Sequence, residues 1–150
     1  MSKEKKYRPC VVAVIRDAGG LVLVGERKDA PGCWQLPQGG VDHDENTQTA
    51  LCREVLEETA CKVNNILFQS EKLYKYDFPE HFKARIAQDW VGQEQTWFVC
   101  TVLGEPDAEK AQDQEFAGFQ WMNPQDVQDQ IVEFKRNVYR EAFADISDYL

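Results

Sequence analysis

The stretch from Gly39 to Cys61 reads GGVDHDENTQTALCREVLEETAC. From about Asn46 to Thr59 its apolar residues recur at helical spacing. Ala50, Leu51 and Val55 mark one face, with Cys52 and Leu56 one position further round. Asn46 is a capping residue, and Asp44 and Glu45 place negative charge where a helix dipole favours it. Ahead of the helix, Gly39 and Gly40 give a tight turn. Within it, Glu54, Glu57 and Glu58 stand at i, i+3 and i+4, so all three project from one face. Like charges at this spacing weaken a helix by roughly 0.2–0.5 kcal/mol per pair, so something should offset them. Arg53, four residues before Glu57, offsets part of the repulsion. A divalent cation with a preference for hard oxygen would offset more.

An acidic run of this kind is often only a solvated helix face. Two other motifs are excluded. Asp42, Asp44 and Asn46 fit the first ligand positions of a calcium-binding loop. Its sixth position, however, is Thr47 instead of Gly, and its twelfth is Arg53 instead of Glu. No phosphate-binding loop of the G-x-x-x-x-G-K-[ST] type is present.

Outward from this segment, the chain has 150 residues, enough for one domain with one core. Apolar residues are 43% and charged residues 29%, which excludes a disordered or membrane-embedded chain. Seventeen Lys+Arg against 26 Asp+Glu give a net charge of −9, and the pI is about 4.7. That charge argues against coating nucleic acid through bulk electrostatics, and no DNA or membrane partner is expected. His43 and His81 are the two histidines, too few for a poly-His zinc site. Cys10, Cys33, Cys52, Cys61 and Cys100 are odd in number and lack C-x-x-C spacing, which suits reduced thiols in the cytoplasm. A monomer is the expectation for oligomeric state.

Cys10–Ile15 and Leu21–Val24 are apolar runs around the turn cluster Asp17-Ala18-Gly19-Gly20, which suggests a β-hairpin. Residues 66–68, 73–76, 97–103 and 118–122 read as further strands, and residues 77–95 as a long loop. Asn123-Pro124 starts a helical region that runs to about Ile146. The order of elements predicts an α+β sandwich with a mixed sheet.

Gly39, Glu45, Arg53, Glu54, Val55, Glu57 and Glu58 fall in register with G-x5-E-x7-R-E-U-x-E-E-x-G-U, where U is a bulky apolar residue. In this the segment resembles the Nudix hydrolase signature. Ala60 departs from it, standing where the family has Gly, and Cys61 is a small stand-in at the last position. The family's glycine ends the helix in a left-handed conformation, so Ala60 should strain that turn. Tyr7-Arg8-Pro9, residues 34–40 (WQLPQGG), residues 92–98 (GQEQTWF), Glu115-Phe116 and residues 134–139 (FKRNVY) extend the resemblance over most of the chain. They resemble the subfamily of RNA pyrophosphohydrolases and asymmetric diadenosine tetraphosphate hydrolases. The implied fold is the Nudix α/β/α sandwich.

The resemblance implies that Glu54, Glu57 and Glu58 bind two or three Mg2+ or Mn2+ ions. Glu115 is implied as a fourth ligand or general base, with Glu58 the other base candidate. Arg53 would orient the helix carboxylates, and Glu45 would pair with it or serve as an outer ligand. Arg8, Arg27, Lys135 and Arg136 are the implied phosphate and base contacts. Phe134 would stack a base opposite Arg27, and Gln93 and Gln95 would hydrogen-bond phosphate or base edges. Two substrates compete: triphosphorylated RNA 5′ ends, and diadenosine tetraphosphate split to ATP and AMP. A nucleotide sensor that has lost its chemistry is the alternative that Ala60 raises.

Overall fold

The computed structural model describes residues 6–80 and 90–150. β1 (Lys6–Ile15) is the centre of the molecule, and every residue from Cys10 to Ile15 is buried. A strand buried on both faces needs neighbours on both edges. β4 (Gln38–Gly40) flanks it antiparallel and β7 (Trp90–Leu103) flanks it parallel, with Val12 opposite Gln38 and Trp97. β5 (Lys62–Gln69) continues the sheet beyond β7, and β6 (Tyr74–Asp77) pairs with the first part of β7. A second, antiparallel sheet runs β3 (Trp34–Gln35), β2 (Val22–Arg27), β8 (Phe116–Met122).

Side chains alternate across β1, so each face builds its own core. Val11, Ala13 and Ile15 meet Ala50, Leu51 and Val55 of α1 (Thr47–Thr59), together with Phe98 and Cys100. Val12 and Val14 face Trp97, Val99 and the C-terminal helices. These are α2 (Pro124–Gln130), a 3-10 turn at Glu133–Lys135, and α3 (Arg136–Ile146). α3 contributes Val138, Tyr139, Ala142, Phe143 and Ile146, each worth roughly 1.5–3 kcal/mol or less when buried, according to its size. Helices therefore cover both faces of the central sheet, the layered α+β arrangement expected from the element order. Among the described residues, no helix is long and apolar enough to cross a membrane.

The expected hairpin is reduced to its turn, where the Asp17 N–H donates to the Leu21 carbonyl at 2.9 Å. After an isolated bridge between Arg16 and Val22, β1 and β2 part into different sheets. β1 finds its partners at β4 and β7 because both of its edges are interior, and the local turn cannot supply two neighbours. The expected loop at residues 77–95 is also corrected at its ends. Gly92 and Gln93 pair with Asp77 and Tyr76, so strand structure begins at Trp90. Gly92 is needed there because a Cβ would meet the Tyr76 carbonyl. The middle of that segment, including His81, lies outside the described residues.

Candidate active site

α1 begins and ends as its sequence dictates. Asn46 Oδ1 accepts the Thr49 N–H at 2.8 Å. The helix stops at Ala60, whose φ of 66° is left-handed and whose N–H donates to Leu56 O at 3.0 Å. An alanine in this conformation costs about 1 kcal/mol against glycine.

Leu51, Val55 and Glu58 follow at i, i+4 and i+7, so the buried stripe of α1 runs straight into Glu58. Glu58 is only 1% exposed. Glu54 and Glu57 lie nearer the surface. The three glutamates thus occupy unequal environments, although they sit close along the helix.

Arg53 ties the acidic face together. Its Nε donates to Glu45 Oε2 at 2.9 Å and its Nη2 to Glu45 Oε1 at 2.9 Å. Nη2 also donates to the Gly40 carbonyl at 2.8 Å, and Nη1 to Glu54 Oε1 at 2.8 Å and Glu57 Oε2 at 3.3 Å. Charge-assisted bonds of this kind contribute about 1.5–3 kcal/mol, several times the helix repulsion they oppose. Arg53 holds the Glu45 carboxyl down at about 2, so Glu45 stays ionised. Asp42 N–H donates to the same carboxylate at 2.9 Å and closes the turn before the helix.

The paired glycines serve two neighbours. A Cβ on Gly39 would occupy the place of the Glu54 carboxylate. On Gly40 it would strike the Arg8 guanidinium, 2.7 Å from Nε and 2.8 Å from Cζ. The expected tight turn is instead strand β4, whose two glycines let an acid from α1 and a base from β1 approach it from opposite sides.

Sequence reasoning missed Asp113. Its N–H donates to Glu57 O at 2.9 Å, and the Asp107 N–H donates to Thr59 O at 3.0 Å. These bonds use two of the open carbonyls at the end of α1 and dock the 107–115 loop against it. Single carboxylate oxygens of Glu54, Glu57 and Asp113 come within 4.8 Å of one another. No periodicity marks Asp113, and its proximity arises from a backbone bond.

Glu58 Oε2 has no hydrogen-bond partner among the described residues. Burial, followed by the charges of Glu115 and Glu54, pushes the Glu58 carboxyl up to about 10. The structure groups Glu54 and Glu57 with Asp113 in place of the expected Glu58, and that group, with the open Glu58 oxygen on the same helix, is a donor set that fits a hard divalent cation. Glu115 stands on the exposed rim where β8 begins, and its carbonyl accepts the Lys28 N–H at 3.0 Å. Crowding by the protein raises the proton affinity of its carboxyl, and Arg27 opposes that rise.

The C-terminal segment forms the other wall. Arg27, Trp34, Phe134 and Lys135 line a cavity of 260 Å³. Arg27 is forked onto Asp29, with Nε to Oδ1 at 2.8 Å and Nη2 to Oδ2 at 2.6 Å. Lys135 is 5% exposed, with Nζ 5.9 Å from the ring centroids of both Tyr76 and Phe134. Burial, and then the neighbouring Arg27, push its ammonium down to about 8. Phe134 rests against Tyr76, with ring centroids 5.7 Å apart. Tyr74 and Tyr76 themselves belong to the core, so the alternating aromatics mark a strand face.

Gln95 is fully buried, accepts the Trp97 indole N–H at 2.9 Å and donates to Gln93 Oε1 at 3.0 Å. Gln93 pairs in register with Arg8 on the neighbouring strand. The structure thus groups Arg8, Gln93, Gln95 and the two glycines along one part of the central sheet. Arg27, Phe134 and Lys135 gather in the cavity. Arg136 lies apart from them, in a separate hollow.

The family model described as the NUDIX domain matches residues 6–142. An RNA pyrophosphohydrolase of Dinoroseobacter shibae is 38% identical, over 96% of this chain and 94% of that protein. Nudix hydrolase 25 of Arabidopsis thaliana is 33% identical, over 96% of this chain and 88% of that one. Among solved structures, the E. coli dihydroneopterin triphosphate pyrophosphohydrolase shares the fold with a TM-score of 0.67 at 20% identity, covering 91% of this chain and 97% of its own. The chain belongs to the Nudix family and is a hydrolase of phosphoanhydride bonds.

Proposed function

We propose that this enzyme removes pyrophosphate from triphosphorylated RNA 5′ ends and leaves a 5′-monophosphate, using Mg2+ or Mn2+. The observation that carries this reading is the grouping of the Glu54, Glu57 and Asp113 carboxylates, with the orphaned Glu58 Oε2 on the same helix, in a molecule that also holds a cavity walled by aromatic and cationic side chains. Several relatives named RNA pyrophosphohydrolase, at 31–38% identity, support the choice of RNA.

In this reading Glu54, Glu57 and Glu58 hold two or three ions, and Asp113 adds a carboxylate from the loop. Such ions neutralise charge on phosphate oxygens and make a water more acidic. Arg53 keeps Glu54 and Glu57 oriented and fixes Glu45 at the helix entrance. Glu115, on the rim, takes the proton of the water that attacks phosphorus in line. The bond to the bridging oxygen breaks and pyrophosphate departs. Arg8 and Lys135 bind phosphate, while Phe134 and Arg27 sandwich the terminal base, a contact worth about 1–3 kcal/mol. Gln93 reaches substrate and Gln95 holds Gln93 in place.

A second reading, cleavage of diadenosine tetraphosphate to ATP and AMP, is favoured by the net charge of −9, since long RNA gains from an extended basic track. One assay separates the two. Triphosphorylated oligoribonucleotide and diadenosine tetraphosphate are each incubated with Mg2+, Mn2+ or chelator. Pyrophosphate release from RNA, dependent on metal, is expected. Faster cleavage of the dinucleotide would replace the substrate assignment. Binding of either compound without turnover would revive the sensor.

A further inference from the structure

α2 and α3 enclose a second hollow, of 240 Å³, lined by Gln125, Gln128, Asp129, Arg136 and Arg140. Arg136 and Arg140 are exposed, stand at i and i+4 on α3, and make no ion pair among the described residues. Like charges at this spacing cost the helix roughly 0.2–0.5 kcal/mol. The chain keeps this uncompensated pair although its carboxylates outnumber its cations 26 to 17. Asp129, the acid in the hollow, accepts from Gln125 Nε2 at 3.2 Å instead of pairing with either arginine. The hollow shares no lining residue with the cavity, and the chain from Asp129 to Arg136 links the two. Ile131, Val132, Phe134 and Lys135 line the cavity, the flanking helices line the hollow, and Lys135 and Arg136 are consecutive.

We propose that Arg136 and Arg140 form a subsite for the phosphodiester next to the terminal nucleotide of an RNA whose 5′ end occupies the cavity. The inference rests on the function proposed above and deepens it. Guanidinium forks match the planar display of oxygens on a phosphodiester, and two of them one helical turn apart give a short basic track on an acidic protein. Neither a nucleoside triphosphate nor diadenosine tetraphosphate carries that group, so the subsite selects RNA.

The test compares kcat/KM for a triphosphorylated trinucleotide with that for a nucleoside triphosphate, with Mg2+ present. In the Arg136→Ala/Arg140→Ala double variant the ratio should fall about tenfold, and Arg→Lys at both positions should restore part of it. An unchanged ratio overturns the proposal. Binding of a labelled 5′-monophosphorylated trinucleotide gives a readout independent of turnover. The double variant should bind about tenfold more weakly, with the slope of log Kd against log salt shallower by about 0.7. Unchanged affinity and slope at an unchanged melting temperature also overturn it. A wild type that binds this RNA with the full salt slope yet hydrolyses nothing would defeat the function proposed above and leave the subsite standing.

Discussion

The two walls of the cleft are ordered by opposite means. On the α1 wall, Arg53 is hydrogen-bonded to Glu45, Glu54 and Glu57, and charge orients those four side chains. On the C-terminal wall, Lys135 is seated between aromatic rings and burial lowers its affinity for a proton. The first wall is built from fixed spacings on one helix, and the second from packing between distant segments. Damage should therefore spread differently. A change on the charged wall should disturb chemistry, and a change on the packed wall should disturb binding and the pH dependence of folding.

Glu58→Gln should break this contrast most sharply if it is wrong. The amide keeps the shape, so melting without metal should hold or rise, because an unpaired buried acid is relieved. Turnover should drop by about 10³, and the stabilisation conferred by Mg2+ should shrink. In the wild type, a Glu58 that starts protonated must lose its proton to ligate. Mg2+ affinity should then climb with pH towards about 10, with close to one proton released per site, measured by calorimetry in buffers of different ionisation enthalpy. Metal uptake with no proton release would remove Glu58 from the ligand set.

Gly39→Ala comes next. The added Cβ displaces the Glu54 carboxylate, and turnover should fall about 10²-fold with a smaller loss of melting temperature. Normal kinetics would show that Glu54 needs no such approach.

Lys135→Met probes the other wall. Substrate KM should rise about tenfold while the fold stays intact, since methionine fills the same aromatic seat. Burial holds the folded lysine's pKa at about 8, below the 10.5 of a lysine in water, so the unfolded chain binds more protons between the two. Wild-type stability should therefore rise with pH across that window, and the variant should lose the rise. Parallel stability curves for the two proteins would show that Lys135 is not held as described.

Ala60→Gly is the smallest effect. Relief of the left-handed alanine should add about 1 kcal/mol and about 2–4 °C of melting temperature, with turnover unaltered. A destabilised glycine variant would mean that chain entropy outweighs the strain.

The sequence made the charged wall legible because its information is local. Helix spacing, the Asn46 cap and the strained Ala60 position all follow from residues within one segment. Glu58's burial was readable too, since it extends the Leu51–Val55 stripe, although a shared acidic face hides that. Asp113 was illegible because a main-chain bond from a loop brings it to Glu57. β1 and β2 misled for a related reason. A turn of four small or polar residues between apolar runs signals a hairpin, and nothing local reveals that β1 is interior on both edges. Arg136 follows Lys135 in a motif, yet one step around the backbone carries it out of the cavity into its own hollow.

The parallel pairing of β1 with β7 has a temporal consequence. Val12 must wait for Trp97, and Ile15 for Cys100, before the central strand gains its second edge. Contacts this remote in the chain form slowly. During synthesis α1 emerges with its acids in place long before the platform that aligns them, and Lys135 comes later still. The site that draws on both α1 and Lys135 is therefore complete only once residue 135 has joined the chain.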